Sequence, residues 1–163
     1  MKTNSFEFVY DIYDSIEELE KEDAALLEVA RAVTEQAYAP YSRFFVGATV
    51  KLDNGKMLSG TNQENASFPA GICAERTVLA AVSSVYPGAV IHAMAISFSS
   101  AGAASNHPIS PCGICRQSLI EQEKRQQAPM RIILGGQVGP VFVIHSASHL
   151  LPFSFTGEEL NKD

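Results

Sequence analysis

The sequence has no tryptophan, only three cysteines in 163 residues, no basic cluster and no long apolar run. Each shortage excludes something. A membrane-spanning helix needs about 20 consecutive apolar residues. A secretory leader needs a basic start, an apolar stretch and a small-residue cleavage site. Neither pattern is visible, so a cytoplasmic protein without a membrane partner is expected. Three cysteines are an odd number, and in a chain with no export signal they read as reduced thiols and not as a disulfide framework. Lys and Arg total 12 against 18 Asp and Glu, a net charge of −6 with a pI of about 5.2. Proteins that grip nucleic acid cluster Lys and Arg to displace counterions from phosphates. The longest basic grouping here, Lys124-Arg125 with nearby Arg131, reads as the solvated end of a helix, where cations also favour the helix dipole. Nucleic acid is therefore not expected as a partner, and a small neutral ligand is. A hydrophobic content of 46% is enough to bury one core, and a single domain over residues 1–163 is expected.

What is present lies in two stretches, Cys73-Ala74-Glu75-Arg76 and Pro111-Cys112-Gly113-Ile114-Cys115. The gap between Cys112 and Cys115 is that of a metal-chelating loop, and Cys73 must arrive from a separate element. A catalytic zinc typically takes three protein ligands and leaves the fourth position for water. Cys73, Cys112 and Cys115 form such a set, for one Zn²⁺ per chain. On spacing alone other readings stand beside it: a C-x-x-C pair can be a redox dithiol, and a lone Cys a small buried hydrophobe. Glu75 lies two residues from a ligand and is the candidate proton carrier; the plain alternative is a carboxylate that favours a helix N-terminus.

Periodicity places these motifs on elements. Phe6, Phe8, Tyr10 and Ile12 alternate as an edge strand. Ser15 with Glu18 can form a capping box, after which Leu26, Val29, Ala30, Val33 and Ala37 recur at helical spacing until Pro40. Strands over 45–52 and 56–60 flank Asn54-Gly55, a hairpin signal, and the second delivers Asn62 and Glu64. Helical spacing resumes over 73–85 and ends at Pro87-Gly88. An apolar strand over 90–98 follows, then a small-residue loop over 99–105. A helix from Cys112 to about Gln127 leads into strands over 131–134 and 141–144. Cys73 thus opens one helix and Cys112 and Cys115 the next. The free N–H groups and positive dipole end there favour thiolate over thiol.

The chain resembles the cytidine deaminases of the short type with three Cys ligands. The blocks that carry the resemblance run in order: Tyr38-Ala39-Pro40-Tyr41-Ser42-Arg43-Phe44, Val46-Gly47-Ala48, Asn62-Gln63-Glu64-Asn65-Ala66, Gly71-Ile72-Cys73-Ala74-Glu75-Arg76-Thr77, Ser110-Pro111-Cys112-Gly113-Ile114-Cys115-Arg116-Gln117 and Leu150-Leu151-Pro152. In the zinc deaminases a His or Cys ligand is followed one residue on by the catalytic Glu and later by Pro-Cys-x-x-Cys. The resemblance implies a three-layer α/β fold, with a mixed five-stranded sheet and helices on both faces. It also implies hydrolysis of cytidine and 2′-deoxycytidine, a small-molecule nucleoside partner and a homotetramer. It assigns Asn62 and Glu64 to the sugar hydroxyls, Phe44 and Ala74 to the substrate, and Phe155 to the base from a neighbouring subunit. Arg76 would offset the charge of three thiolates, and Gln117 would support the metal shell. Core packing remains the alternative for Phe44, and a surface ion pair for Arg76. His92, His107, His145 and His149 match no ligand position.

Three departures accompany the resemblance. Residues 1–23 form an N-terminal extension with a possible edge strand, Thr61 stands where many relatives have Cys, and the 99–105 loop is featureless. Two rival functions stay open: a deaminase of another cytosine-containing small molecule, and a non-catalytic zinc or redox module. A closed structural zinc site would want a fourth protein ligand, and no further Cys exists.

Overall fold

In the computed structural model, residues 1–160 are described; residues 161–163 of the expected domain lie outside the described residues. Among the described residues six strands make one mixed sheet: β1 (Tyr10–Tyr13), β2 (Phe44–Leu52), β3 (Met57–Thr61), β4 (Ile91–Ser100), β5 (Arg131–Gly135) and β6 (Val141–Ile144), in the order β1-β6-β5-β4-β2-β3. The β4–β5 pair is parallel and the other neighbours are antiparallel. Three helices cover it: α1 (Lys21–Val33), α2 (Ala74–Val85) and α3 (Gly113–Gln126).

The pleat sorts side chains between two layers. Ala93 and Ala95 of β4, Ile133 of β5 and Val141 and Val143 of β6 pack with Leu26, Leu27 and Ala30 of α1. Their neighbours Met94, Ile96, Ile132, Leu134 and Ile144 face the other way, against Val78, Leu79 and Val82 of α2 and Leu119 of α3. Helices on both faces of a mixed sheet are the expected three layers. The implied five strands become six, because β1 of the N-terminal extension pairs with β6, Tyr10 opposite Ile144 and Tyr13 opposite Val141. The strand is shorter than its alternating pattern, since β6 offers only four residues to pair with.

The long helix does not start at the Ser15–Glu18 box. Ser15 precedes a separate 3-10 turn, Ile16–Glu18, with no side-chain capping bond, and the Glu18 carboxylate accepts the Asp14 N–H at 3.0 Å. The α1 helix is fixed by tertiary contacts instead. Asp23, buried in its first turn, pairs with both Arg131 Nη atoms at 2.6 and 2.8 Å. Gly47 of β2 lets the helix approach so closely that a Cβ there would lie 2.2 Å from the Ala30 carbonyl oxygen. The hairpin forms at Asn54-Gly55, with Gly55 at φ +79°. Ser99 and Ser100 belong to β4, so the loop begins after them.

Candidate active site and metal centre

Cys73 is the residue before α2 and Cys112 the residue before α3, with neither side chain capping its helix; Cys115 is buried in the first turn of α3. The Sγ atoms lie 3.9 Å apart for Cys73 and Cys112 and 3.4 Å for Cys112 and Cys115. All three lie within 4.8 Å of one another. Thiolates at about 2.3 Å from a tetrahedral zinc would sit roughly 3.8 Å apart, so the three sulfurs have the spacing such an ion needs. The thiols already perturb one another. Cys73 is held down to about 6, chiefly by the Cys115 thiol. Cys115 is pushed up by its pairing with Cys73 and by burial.

The hairpin and the segment that follows it place the start of α2. A Cβ on Gly60 of β3 would meet the Val78 nitrogen at 2.6 Å and the Ala74 carbonyl oxygen at 2.8 Å, so α2 rests directly on the hairpin backbone. After β3 the chain stays extended. Gln63 exchanges backbone bonds with Ile72 at 2.9 and 3.0 Å, Tyr38 donates to the Asn62 carbonyl at 3.0 Å, and Glu64 donates to the Tyr38 carbonyl at 2.8 Å. The Asn62-Gln63-Glu64 segment is thereby laid beside Ile72-Cys73.

These strips border a cavity of about 530 Å³ lined by Tyr41, Ser42, Asn62, Glu64, Phe68 and Cys73, among others. Tyr41 and Phe68 meet edge to face at 5.8 Å. Asn62 bridges to β2, accepting the Val46 N–H at 2.7 Å and donating to the Phe44 carbonyl at 2.9 Å. The Glu64 carboxylate accepts the Tyr41 N–H at 2.8 Å and that of Ser42 at 3.3 Å. A hydrogen bond from Ser42 is the main reason its carboxyl sits below the ordinary range.

Glu75 is 4% exposed in the first turn of α2, and burial pushes its carboxyl up, with Arg76 pulling in the opposite direction. Arg76 also lowers Cys73. Arg76 borders a second groove of about 440 Å³ between α2 and α3, shared with Gln117 and Arg125.

The remaining assigned residues are dispersed. Ala74 is fully buried as the first residue of α2. Phe44 stacks on Phe98 at 5.0 Å between centroids, so it also packs on the sheet. Gln117 Nε2 donates to the Phe155 carbonyl at 2.9 Å, while the Phe155 side chain is exposed. Neither Phe44 nor Phe155 is among the described residues lining the larger cavity. None of the four histidines joins the cysteine group. His92 is exposed, His107 lies edge-on to Phe98, His145 sits 3.2 Å from Asp11 and His149 stands against Phe8. Sequence reading gave no role to Arg116, which donates to the Pro111 and Leu150 carbonyls at 2.9 and 3.1 Å. The only signal for it was its place directly after Cys115.

The model described as the cytidine and deoxycytidylate deaminase zinc-binding region matches residues 20–128. The chain belongs to this family. It is 38% identical over 136 residues to a cytidine deaminase of Halalkalibacterium halodurans, covering 83% of this chain and 96% of that one. Its fold matches the crystal structure of cytidine deaminase from Burkholderia pseudomallei with a TM-score of 0.71 and 39% identity, over 84% of this chain and all of the other. The Mycobacterium tuberculosis enzyme follows at a TM-score of 0.63 and 30% identity, over 81% of this chain and 95% of that one. Zinc is the metal of the family, and the cysteine group here can hold it. No described helix is long and apolar enough to cross a membrane.

Proposed function

We propose that the chain hydrolyses cytidine and 2′-deoxycytidine to uridine and 2′-deoxyuridine, releasing ammonia. Cys73, Cys112 and Cys115 hold one zinc, and Glu75 carries the protons. The observation that supports this best is the convergence of three sulfurs within 4.8 Å two residues from a buried carboxyl, beside a cavity of about 530 Å³, on a chain whose curated relatives are cytidine deaminases. Bound zinc supplies the Lewis acidity that makes water a nucleophile near neutral pH.

The protein's own groups do the rest. Glu75 takes a proton from the attacking water and gives it to ring N3 as oxygen adds to C4. It then returns the second proton of that water to the departing amine, so one carboxyl serves both directions of transfer. Desolvation favours its neutral form, and the adjacent Arg76 favours the charged one, a balance suited to a group that must both accept and donate. Asn62 and Glu64 meet the sugar hydroxyls. Glu64 accepts from a hydroxyl and repels a phosphate, which selects nucleoside over nucleotide. Phe44, Ala74 and Phe155 complete the substrate site, with Phe155 coming from a neighbouring copy in a homotetramer. Arg76 offsets thiolate charge, and Gln117 supports the metal shell through α3. We place the enzyme in the cytoplasm, as one domain over residues 1–163.

Zinc content measured alongside ammonia release from cytidine by the purified protein tests this reading. One zinc per chain with turnover is the expected result. Zinc without turnover of any cytosine nucleoside would favour the non-catalytic module.

A further inference from the structure

Cys112 stands outside the helix it introduces, at φ −66° and ψ 168°, exposed and with no side-chain capping bond. A ligand in that position needs its backbone held from elsewhere. Arg116, one turn on, reaches back: its Nε donates to the carbonyl of Pro111 at 2.9 Å, and its Nη1 to the carbonyl of Leu150 at 3.1 Å. Pro111 is buried and adjoins Cys112. Leu150 ends the short turn Ala147–Leu150, which is anchored separately. There the Glu123 carboxylate accepts the Ala147 and Ser148 N–H groups at 2.8 and 3.0 Å. The next residue on α3, Gln117, donates to the Phe155 carbonyl at 2.9 Å. Two successive side chains of the metal-bearing helix therefore hold the segment from 150 to 155.

Taking the three cysteines as zinc ligands, we propose that Arg116 is a positioning residue for the metal site. Its rigid fork fixes the Pro111–Cys112 peptide against the anchored Leu150 carbonyl, which sets the Cys112 sulfur at the spacing a zinc ion requires. The task divides between two arginines. Arg76 follows Glu75 in the first turn of α2 and offers a positive charge there. Arg116 acts by geometry, because both bonds named end on neutral carbonyl oxygens. A guanidinium makes two such bonds in one fixed plane, whereas an ammonium is a point donor on a flexible stem. Partners that orient a metal ligand typically matter by roughly 10- to 100-fold in metal affinity or activity.

The test compares zinc-loaded Arg116→Met, Arg116→Lys and parent protein by the rate of zinc transfer to a coloured chelator and by steady-state kinetics with cytidine. Arg131→Met serves as the control for loss of a partly buried arginine, since Arg131 pairs with Asp23 on the α1 side of the sheet. Arg116→Met is expected to release zinc at least tenfold faster than parent and to lower kcat with little change in KM. Arg116→Lys should fall between, and Arg131→Met should release zinc at the parental rate. Parental zinc release in Arg116→Met would overturn the proposal. So would equal acceleration in Arg131→Met, which would mark general destabilisation. If Arg116→Met does not fold, Arg116→Lys decides, with parental release counting against the role. Zinc transfer is read without substrate, so a parent that binds zinc but leaves cytidine untouched would sink the functional reading and leave this test intact.

Discussion

The Glu64 carboxylate accepts the backbone N–H of Tyr41 at 2.8 Å, so a residue assigned to the sugar also ties together two segments that border the same cavity. Glu64→Ala removes both the proposed sugar contact and this tie. The expected outcome is a KM for cytidine raised tenfold or more, as follows from the roughly 1.5 to 3 kcal/mol of a lost hydrogen bond to a charged group, with zinc content unchanged. Atomic absorption and initial-rate kinetics on one preparation check both halves. Parental KM would remove Glu64 from the sugar site.

The same contact carries a pH signature. Hydrogen bonding from Ser42 lowers the Glu64 carboxyl from its ordinary 4.5. A carboxyl depressed on folding stabilises fully above its unfolded value and loses that contribution as pH falls through the lower folded value. Protection of the Tyr41 and Ser42 amides against hydrogen exchange, corrected for intrinsic rates, should therefore be flat above about pH 4.5 and fall below it. In Glu64→Gln it should already be reduced at neutral pH.

Gly60 tests how the hairpin sets the metal site. A Cβ there would stand 2.6 Å from the Val78 nitrogen, on backbone that cannot swing aside. Gly60→Ala must push α2 away, and overpacking of this kind costs about 1 to 3 kcal/mol. Because Cys73 directly precedes that helix, thermal stability and zinc retention should drop together. A stable variant that loses zinc would show that the hairpin tunes the site beyond its share in stability.

Cys115→Ser addresses the ligand set directly. Its sulfur is fully buried and has two thiol neighbours, and a serine hydroxyl does not supply the thiolate that zinc prefers. Metal and turnover should be lost together. Full activity in a chelator-treated, metal-free sample would overturn the assignment, since water activation would then need another electrophile.

Much of this site was legible because its parts are local. Cys73 and Cys112 announce helix starts, and Asn54-Gly55 announces the hairpin that delivers Asn62. What stayed hidden depends on long-range pairing. The Arg116–Leu150 bond spans 34 positions, and no periodicity reports it. The sixth strand was visible as an alternation from Phe6 to Ile12, but its length was set by β6. The Ser15–Glu18 pattern was a true turn signal read onto the wrong helix, because the Asp23–Arg131 pair and the Gly47 approach locate α1 independently of any capping box. The bonds that the Asn62 amide makes to the Val46 and Phe44 backbone are likewise long-range and leave no mark in the local sequence.

Glu75 separates catalysis from metal binding. The residue is 4% exposed, and glutamine matches its size while being unable to carry a proton. Glu75→Gln should keep the fold and the zinc while turnover of cytidine falls by at least the roughly 10²- to 10⁴-fold typical of a lost general acid–base. The loss should exceed that of a group acting once, because the proposed mechanism uses this carboxyl in both directions of proton transfer. Metal content and turnover are measured on the same preparation. Near-parental turnover with zinc in place would remove Glu75 from the mechanism. Loss of zinc together with turnover would instead assign the buried carboxyl to holding the helix start that carries Cys73.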